Sequence, residues 1–260
     1  MGKRTRFVIV VSSIVGFVAL TAGAAPDPNW PPDLSGTWAM IQFMPEVADL
    51  PFVGEVMITP IVSILVRVEQ AGKLVTMHDT YCRTEVETSR PILVSEVPDA
   101  VVSSLAPPPR TARLEPTEDG WRLIQDWQIE VRGAVLENPE TDELPAYIFD
   151  PRIVDMDGDG HPGFTIPVRL FEVVAGDTYV VQRLIFRIDG LVRDHDRIDG
   201  TIEWSSEQPV ISATDALLMF AFEHWHDPDP TKHRFIMIRL ADDAGCDAAI
   251  EILEEVLAEH

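Results

Sequence analysis

The chain has 260 residues and a formal net charge of −23, with 43 acidic against 20 basic side chains. Nucleic acids and anionic membrane surfaces both require a basic patch, so this balance argues against nucleic-acid binding and disfavours anionic membranes.

The first 24 residues have the pattern of an export signal. Three basic side chains precede an apolar run over residues 7–20, and a small-x-small cleavage pattern ends at Ala24. The run is shorter than the roughly 20 residues that span a bilayer, so we predict cleavage rather than a membrane anchor. The expected product is a periplasmic or secreted protein that does not span a membrane, with a formal charge of −26.

The rest of the chain, residues 25–260, predicts one domain built mainly from antiparallel β-strands. Segments rich in Val, Ile, Thr and aromatic residues are bounded by Gly, Pro and Asp, which is typical of strands. Turns at residues 70–72, 117–120, 175–177 and 194–196 predict hairpins, and a short helical turn is expected near residues 99–105. The predicted strands are residues 36–44, 55–69, 73–86, 111–115, 121–132, 164–174, 178–192, 197–208, 216–225 and 233–240.

The chain ends in a predicted amphipathic helix over residues 244–259. Apolar residues recur there at spacings of three and four, and glutamates face the other way. Its Cys246 and the earlier Cys82 are the two cysteines of the chain, and in an exported protein they predict a disulfide. Such a bond would join the helix to the strand over residues 73–86, and two free buried thiols are the alternative.

Alternate aspartates mark the segment of residues 155–163. Asp155, Asp157 and Asp159, followed by a glycine, resemble the Asp-x-Asp-x-Asp-Gly loop of EF-hand-like calcium modules. The resemblance implies Ca²⁺ binding by the three carboxylates and by the backbone carbonyl of His161. The twelfth position, normally Glu, is Ile166, so we expect a weak structural site with a dissociation constant on the order of 10⁻⁴ M. The alternative is a solvated turn without an ion.

A second candidate metal site is the pair His224 and His226. Residues two apart on a strand lie on one face about 6.6 Å apart, so both imidazoles could bind one Zn²⁺ if another strand supplies a third ligand, which could be His233, His78 or His195. The alternative is a strand end with both rings exposed. The sequence contains no nucleophile elbow and no phosphate-binding glycine loop, and no catalytic residue is predicted.

The two ends of the chain resemble lipocalins and related calycin barrels. Gly36 and Trp38 form the Gly-x-Trp pattern on the first strand, and Arg239 lies on the last strand before the helix. The resemblance implies a calycin-like barrel, or a strongly curved sheet, with a C-terminal helix, in which Arg239 stacks on Trp38.

The expected function is a non-enzymatic exported barrel that binds a small apolar ligand and carries a calcium-binding loop. The alternatives are a metal-dependent hydrolase that uses His224 and His226, or an envelope structural protein without a ligand.

Overall fold

The computed structural model of the protein describes residues 31–50, 54–90, 93–95, 97–170, 174–219 and 223–259. The predicted export signal, residues 1–24, lies outside the described residues. Within those ranges, no helix is both long and apolar enough to cross a membrane. Pro31–His260 forms one unit of the chain.

Fourteen strands, two α-helices and two short 3-10 helices make up the secondary structure of the described segments. Helix α1 (Asp99–Ser104) lies between the fifth and sixth strands, and α2 (Cys246–Ala258) follows the last strand. The strands are β1 (Gly36–Phe43), β2 (Glu46–Leu50), β3 (Gly54–Ala71), β4 (Leu74–Thr88), β5 (Leu93–Ser95), β6 (Arg110–Thr117), β7 (Gly120–Arg132), β8 (Phe164–Leu170), β9 (Val174–Val180), β10 (Gln182–Val192), β11 (Arg197–Glu207), β12 (Val210–Ala213), β13 (Glu223–His226) and β14 (Arg234–Arg239).

Eight of these strands close into an antiparallel barrel. Strand β1 pairs with β14 on one side and with β3 on the other, so the sheet returns on itself. The order round the ring is β1, β3, β4, β6, β7, β10, β11 and β14, which is also their order along the chain. This up-and-down arrangement confirms the predicted antiparallel barrel. Strand β2 continues the pairing of β1 with β3 in the same register, and β13 pairs with β2. Strands β12, β9, β8 and β5 form a second, four-stranded sheet.

Side chains at alternate strand positions fill the barrel interior, as the two-residue period of a strand requires. Trp38 and Met40 of β1 belong to the interior cluster together with Phe186 of β10 and Phe235 of β14. Ile41, which follows Met40, packs on the outside against Leu253 of α2. The barrel therefore has an apolar interior and a helix on its outer face.

The predicted disulfide is present. Cys82 of β4 and Cys246 of α2 are bonded, with their Cα atoms 5.2 Å apart. Buried Ala249, one turn along α2, accepts a hydrogen bond at its carbonyl from the Ser63 hydroxyl of β3 (2.9 Å). The disulfide and this contact fix α2 to the barrel wall.

Trp38 and Arg239 contact each other at one end of the barrel. The two residues are opposite each other in the pairing of β1 with β14, and the Arg239 guanidinium carbon lies 4.3 Å from the centre of the Trp38 ring. The guanidinium also donates to the carbonyl oxygens of Ser35 (2.7 Å) and Asp33 (2.9 Å). The predicted stacking contact is thus formed, and Arg239 holds the segment that enters β1.

The predicted hairpin at residues 175–177 is wrong, because these residues lie inside β9. Strand β9 pairs with β8 along its whole length, and the predicted strand 178–192 is divided between β9 and β10. The chain passes at Val181 from the small sheet to the barrel. Gly176 suggested a turn, but a Cβ there would overlap the Thr214 hydroxyl oxygen, so the glycine allows β9 to pack closely against the segment after β12.

The predicted strand over residues 216–225 is also wrong in its first half. Ala216–Met219 is a 3-10 helix, because the Asp215 carboxylate accepts a hydrogen bond from the Leu217 N–H (2.8 Å) and stabilises its first turn. The second half contains β13. Strands β2, β5 and β12 are short and were not predicted, and the C-terminal helix is slightly shorter than predicted.

Candidate functional site

The aspartate loop is closed at its base by backbone hydrogen bonds. Asp155 and Gly163 form an isolated parallel bridge, in which the Met156 N–H donates to the Gly163 carbonyl (2.8 Å) and the Gly163 N–H donates to the Val154 carbonyl (2.9 Å). The loop follows β7 through the segment of residues 133–154 and leads directly into β8. Turns and isolated bridges therefore precede the loop and a strand follows it, in place of the two helices of an EF-hand.

The loop brings its three aspartates together. Carboxylate oxygens of Asp155, Asp157 and Asp159 all lie within 4.8 Å of one another. Asp155 accepts hydrogen bonds from the N–H groups of Gly158 (2.8 Å) and Gly160 (3.0 Å), which have φ angles of +73° and +88°. These left-handed conformations favour glycine and let the chain turn round the first carboxylate.

Thr165, the second residue of β8, donates hydrogen bonds to the other two carboxylates. Its N–H donates to Asp157 Oδ2 (2.9 Å) and its hydroxyl donates to Asp159 Oδ2, while Asp159 Oδ1 accepts from the His161 N–H (2.8 Å). Burial raises the pKa of Asp159, but the Thr165 and His161 hydrogen bonds outweigh it and leave that pKa below its ordinary value. No pattern in the sequence indicates this role of Thr165.

One carboxylate oxygen of the loop has no partner. Asp157 Oδ1 is buried and makes no hydrogen bond within the described structure. A buried carboxylate oxygen without a partner is destabilising, because it loses its hydrogen bonds to water and forms none within the protein. An ion at the centre of the three carboxylates would satisfy this atom, and oxygen donors of this kind suit Ca²⁺.

The twelfth loop position supplies no ligand. Ile166 is buried in an apolar cluster with Val101, Phe164 and Val180. Asp150, the carboxylate that most closely precedes the loop in the chain, is paired with Arg152 (2.7 Å), whose hydrogen bonds lower the Asp150 pKa to about 2. The His161 ring stacks on Tyr179, with the ring centres 4.5 Å apart. The side-chain oxygen donors that converge in the loop are therefore those of Asp155, Asp157 and Asp159. The contribution of the His161 backbone carbonyl stays a prediction.

Gly163 anchors the loop against β9. Its φ is +84°, and a Cβ at this position would overlap the carbonyl oxygen of Val180. We expect Gly163→Ala to lower the free energy of unfolding by at least about 1–3 kcal/mol, the usual cost of a strained backbone, plus the cost of the overlap. Urea unfolding measures this loss. Gly158→Ala is the matched control, because Gly158 has a similar φ with no atom near its Cβ; equal losses in the two variants would contradict the packing role.

The histidine pair lies on β13, and the structure assembles no metal site around it. Among the described residues, the grouping of His, Cys, Asp and Glu donors tight enough for an ion is the aspartate trio. The His226 ring packs on Trp204, with ring centres 4.2 Å apart. Buried His233 uses both ring nitrogens, because Nδ1 accepts from Trp204 Nε1 (3.0 Å) and Nε2 donates to the Asp227 carbonyl (2.8 Å).

The other two histidines considered as third ligands have different neighbours. His78 Nε2 lies 3.9 Å from a carboxylate oxygen of Glu69, and His195 Nε2 lies 2.9 Å from one of Asp196. His195 is at the turn between β10 and β11, beside Arg239. Neither residue joins His224 and His226.

Sequence reasoning missed a buried polar network inside the barrel. Asp79 of β4 and Arg110 of β6 form a two-bond ion pair (2.6 and 3.1 Å), and their side chains are only 3% and 2% exposed. Nearby, the Tyr81 hydroxyl bonds to the Glu130 carboxylate (3.0 Å), which also pairs with Arg132 (2.7 Å). Burial is the main reason that the Tyr81 pKa lies far above its ordinary value, so this phenol stays protonated.

A pattern in the sequence could have revealed part of this network. Arg110, Ala112 and Leu114 alternate along β6, and all three are buried. An arginine in phase with two apolar residues on a strand indicates a charge inside the core, and a buried charge requires a partner. The identity of that partner follows only from the fold, because Asp79 is on another strand.

The binding of a small apolar ligand in the barrel stays a prediction. The barrel interior is occupied by the apolar cluster and by the polar network. A depression of about 170 Å³ lies instead on the outer face, lined by charged residues such as Arg113, Asp126 and Arg187. Its lining is unsuited to an apolar ligand.

The chain matches no protein family, no curated protein and no solved structure. The resemblance to lipocalins therefore stays a prediction from Gly36, Trp38 and Arg239 in the sequence.

Proposed function

We propose that this protein is an exported, non-enzymatic β-barrel that binds one Ca²⁺ in the loop of residues 155–163. The observation that carries the proposal is the convergence of three carboxylates within 4.8 Å, one of which has a buried oxygen without a hydrogen-bond partner. Three negative charges at this separation repel one another, and a divalent cation would remove that repulsion. The ion would have a structural role and would fix the segment between β7 and β8.

The donor chemistry favours Ca²⁺ over other metals. All the side chains that converge are carboxylates, and oxygen donors select Ca²⁺ or Mg²⁺ rather than Zn²⁺. Mg²⁺ demands near-ideal octahedral geometry, whereas Ca²⁺ accepts irregular sets of six to eight oxygens, which suits an exposed loop completed by water. Without a carboxylate at the twelfth position, we expect a dissociation constant on the order of 10⁻⁴ M, typical of extracellular modules.

Two features support export. The first 24 residues have the pattern of a signal peptide, and the disulfide between Cys82 and Cys246 suits an oxidising compartment. The periplasm and the external medium both meet this condition. Weak calcium sites are also useful chiefly outside the cytosol, where calcium is abundant.

The proposal predicts a calcium-dependent gain in stability. At 10 mM CaCl₂, about 100 times the expected dissociation constant, Ca²⁺ should add about 2.7 kcal/mol to the free energy of unfolding. For a domain of this size the melting temperature would rise by roughly 5–10 °C. Asp157→Asn keeps the shape of the side chain but removes its charge, so it should abolish most of this rise. Differential scanning calorimetry, with NaCl at matched ionic strength as reference, measures the rise in melting temperature of the wild type and of Asp157→Asn.

Asp119→Asn is the control variant, because it removes the same charge from an exposed turn between β6 and β7. It should keep the full calcium response. A response that survives in Asp157→Asn would contradict the site, and a wild-type protein without any response would argue for the solvated turn.

A further inference from the structure

An exposed turn of three apolar residues lies between β7 and the aspartate loop. Its side chains are 58% exposed at Tyr147, 38% at Ile148 and 85% at Phe149, and we call these three residues the aromatic turn. Five of the ten large apolar side chains that are exposed in the described structure lie between Val135 and Val154. Apolar side chains that are exposed singly are common, whereas several together on one turn indicate an interaction site.

Hydrogen bonds hold the aromatic turn in one shape. Asp150 is buried at its end, and the Asp150 N–H donates to the Tyr147 carbonyl (3.1 Å). The Asp150 carboxylate accepts from the Arg152 N–H (2.9 Å) and twice from the Arg152 guanidinium (3.0 and 2.7 Å). The same guanidinium donates to the Glu143 carbonyl, which precedes the turn (2.9 Å). The exposed side chains therefore need little further ordering of the backbone when they bind.

The residues that anchor the turn are bound to the end of β7. The Val135 N–H donates to the Arg152 carbonyl (2.8 Å). Ala134 and Ile153 form an isolated bridge, and both pack into a cluster with Tyr179. The core of the protein thus uses the side chains that follow and precede the turn and leaves the aromatic turn itself uncovered.

The surroundings of the turn are acidic. Residues 133–154 contain five acidic side chains and one basic side chain, Arg152. Arg152 is paired with Asp150, and within the described structure the other four acidic side chains form no ion pair. Those four are Glu137, Glu140, Asp142 and Glu143. Their charge repels anionic surfaces and attracts cations on a partner.

Apolar contact and negative charge together select one class of partner. A second copy of this chain would bring the same acidic segment against itself, and like charges across an interface are unfavourable. An anionic lipid surface is repelled for the same reason. Three side chains are also too few for the roughly 800 Å² that each partner contributes to a standard interface between folded proteins. A short segment that combines apolar side chains with lysine or arginine fits both features.

We propose that the aromatic turn is a docking site for a short, basic and amphipathic segment of a partner protein. The apolar side chains of that segment pack on Tyr147 and Phe149, and its cations pair with the carboxylates of residues 137–143. The inference goes beyond the proposed function and does not require an ion in the aspartate loop.

Fluorescence anisotropy of a labelled amphipathic peptide of leucine and lysine tests this in the full-length mature protein. The peptide should bind the wild type, and a counterpart with glutamate in place of each lysine should not. Phe149→Ser should raise the dissociation constant of the leucine–lysine peptide at least about tenfold, because the complex loses a buried aromatic anchor. Added NaCl should weaken binding, because salt screens the attraction between the lysines and the carboxylates.

Leu74→Ser is the matched control, because Leu74 is 54% exposed on β4 and lies outside the aromatic turn. This variant should bind the peptide as tightly as the wild type. Phe149→Ser should keep the melting temperature of the wild type, since substitutions at exposed positions usually change stability little.

Two kinds of result overturn the proposal. The first is a peptide that does not bind, or that binds Phe149→Ser as tightly as the wild type, in which case the net charge alone attracts it. The second is a wild type that binds phosphatidylcholine vesicles, or dimerises in sedimentation velocity, in a way that Phe149→Ser abolishes. These outcomes would assign the aromatic turn to a lipid surface or to a second copy of the chain.

Discussion

Loss of the disulfide between Cys82 and Cys246 should lower the free energy of unfolding by about 5 kcal/mol, on the chain-entropy model of cross-links. The bond closes a loop across 164 positions, so its removal frees most of the domain in the unfolded state. Folded contacts should change little, because Leu253 and Ala249 of α2 remain packed on β1 and β3. The effect is a large share of the 5–15 kcal/mol that stabilises a typical domain.

Urea unfolding of the Cys82→Ala/Cys246→Ala double variant measures this loss, with the reduced wild-type protein as the second reference. Intact mass under non-reducing conditions verifies the bond in the wild type by a deficit of two protons. The entropic account predicts similar losses in the reduced protein and in the double variant. A double variant as stable as the oxidised wild type would show that the packing of α2 alone fixes the helix.

The barrel could be predicted from local signals because its strands alternate cleanly and its turns are short. The turns at residues 70–72, 117–120 and 194–196 all join neighbouring strands of the ring. The prediction failed where a residue type is ambiguous. Gly176 suggests a turn by itself, yet here it allows close packing inside β9, and that depends on Thr214, which is far along the chain.

The candidate sites also divide into those that local sequence signals predict and those that depend on the fold. The spacing of Asp155, Asp157 and Asp159 is local, so the sequence predicted their convergence without the fold. The partners of a residue on another strand are not local. Thr165 and Asp79 could not be assigned because their contacts depend on the strand register and on the path of a loop. The contact between Trp38 and Arg239 could be predicted only because the two residues resemble a known pattern.

The buried ion pair between Asp79 and Arg110 should be the most sensitive polar contact of the barrel. Arg110 also donates to the Gln125 side-chain oxygen, and its guanidinium lies 5.8 Å from the centre of the Phe186 ring. Removal of the arginine would leave the Asp79 carboxylate buried without its partner. We therefore expect Arg110→Ala to cost about 3–5 kcal/mol in the free energy of unfolding.

Removal of both charges should have a different result. Replacing a buried ion pair with apolar residues of similar volume is often neutral or stabilising, because the large desolvation cost of both ions disappears. The Asp79→Leu/Arg110→Met variant should therefore be much more stable than Arg110→Ala, and close to the wild type. A double variant as unstable as Arg110→Ala would show instead that the barrel needs the hydrogen bonds of Arg110 to Gln125 as much as the charge pair.

The exposed pair of Arg187 and Glu203 provides the control for these measurements. Its N–O distance of 2.7 Å is similar to that of the buried pair, but the two side chains are 46% and 60% exposed. Arg187→Ala should cost less than about 1 kcal/mol, because water screens the charges and solvates the remaining glutamate. Urea unfolding at neutral pH compares all the variants. If Arg110→Ala and Arg187→Ala lower the free energy of unfolding by the same amount, then water reaches Asp79, and this part of the interior is more hydrated than its contacts indicate.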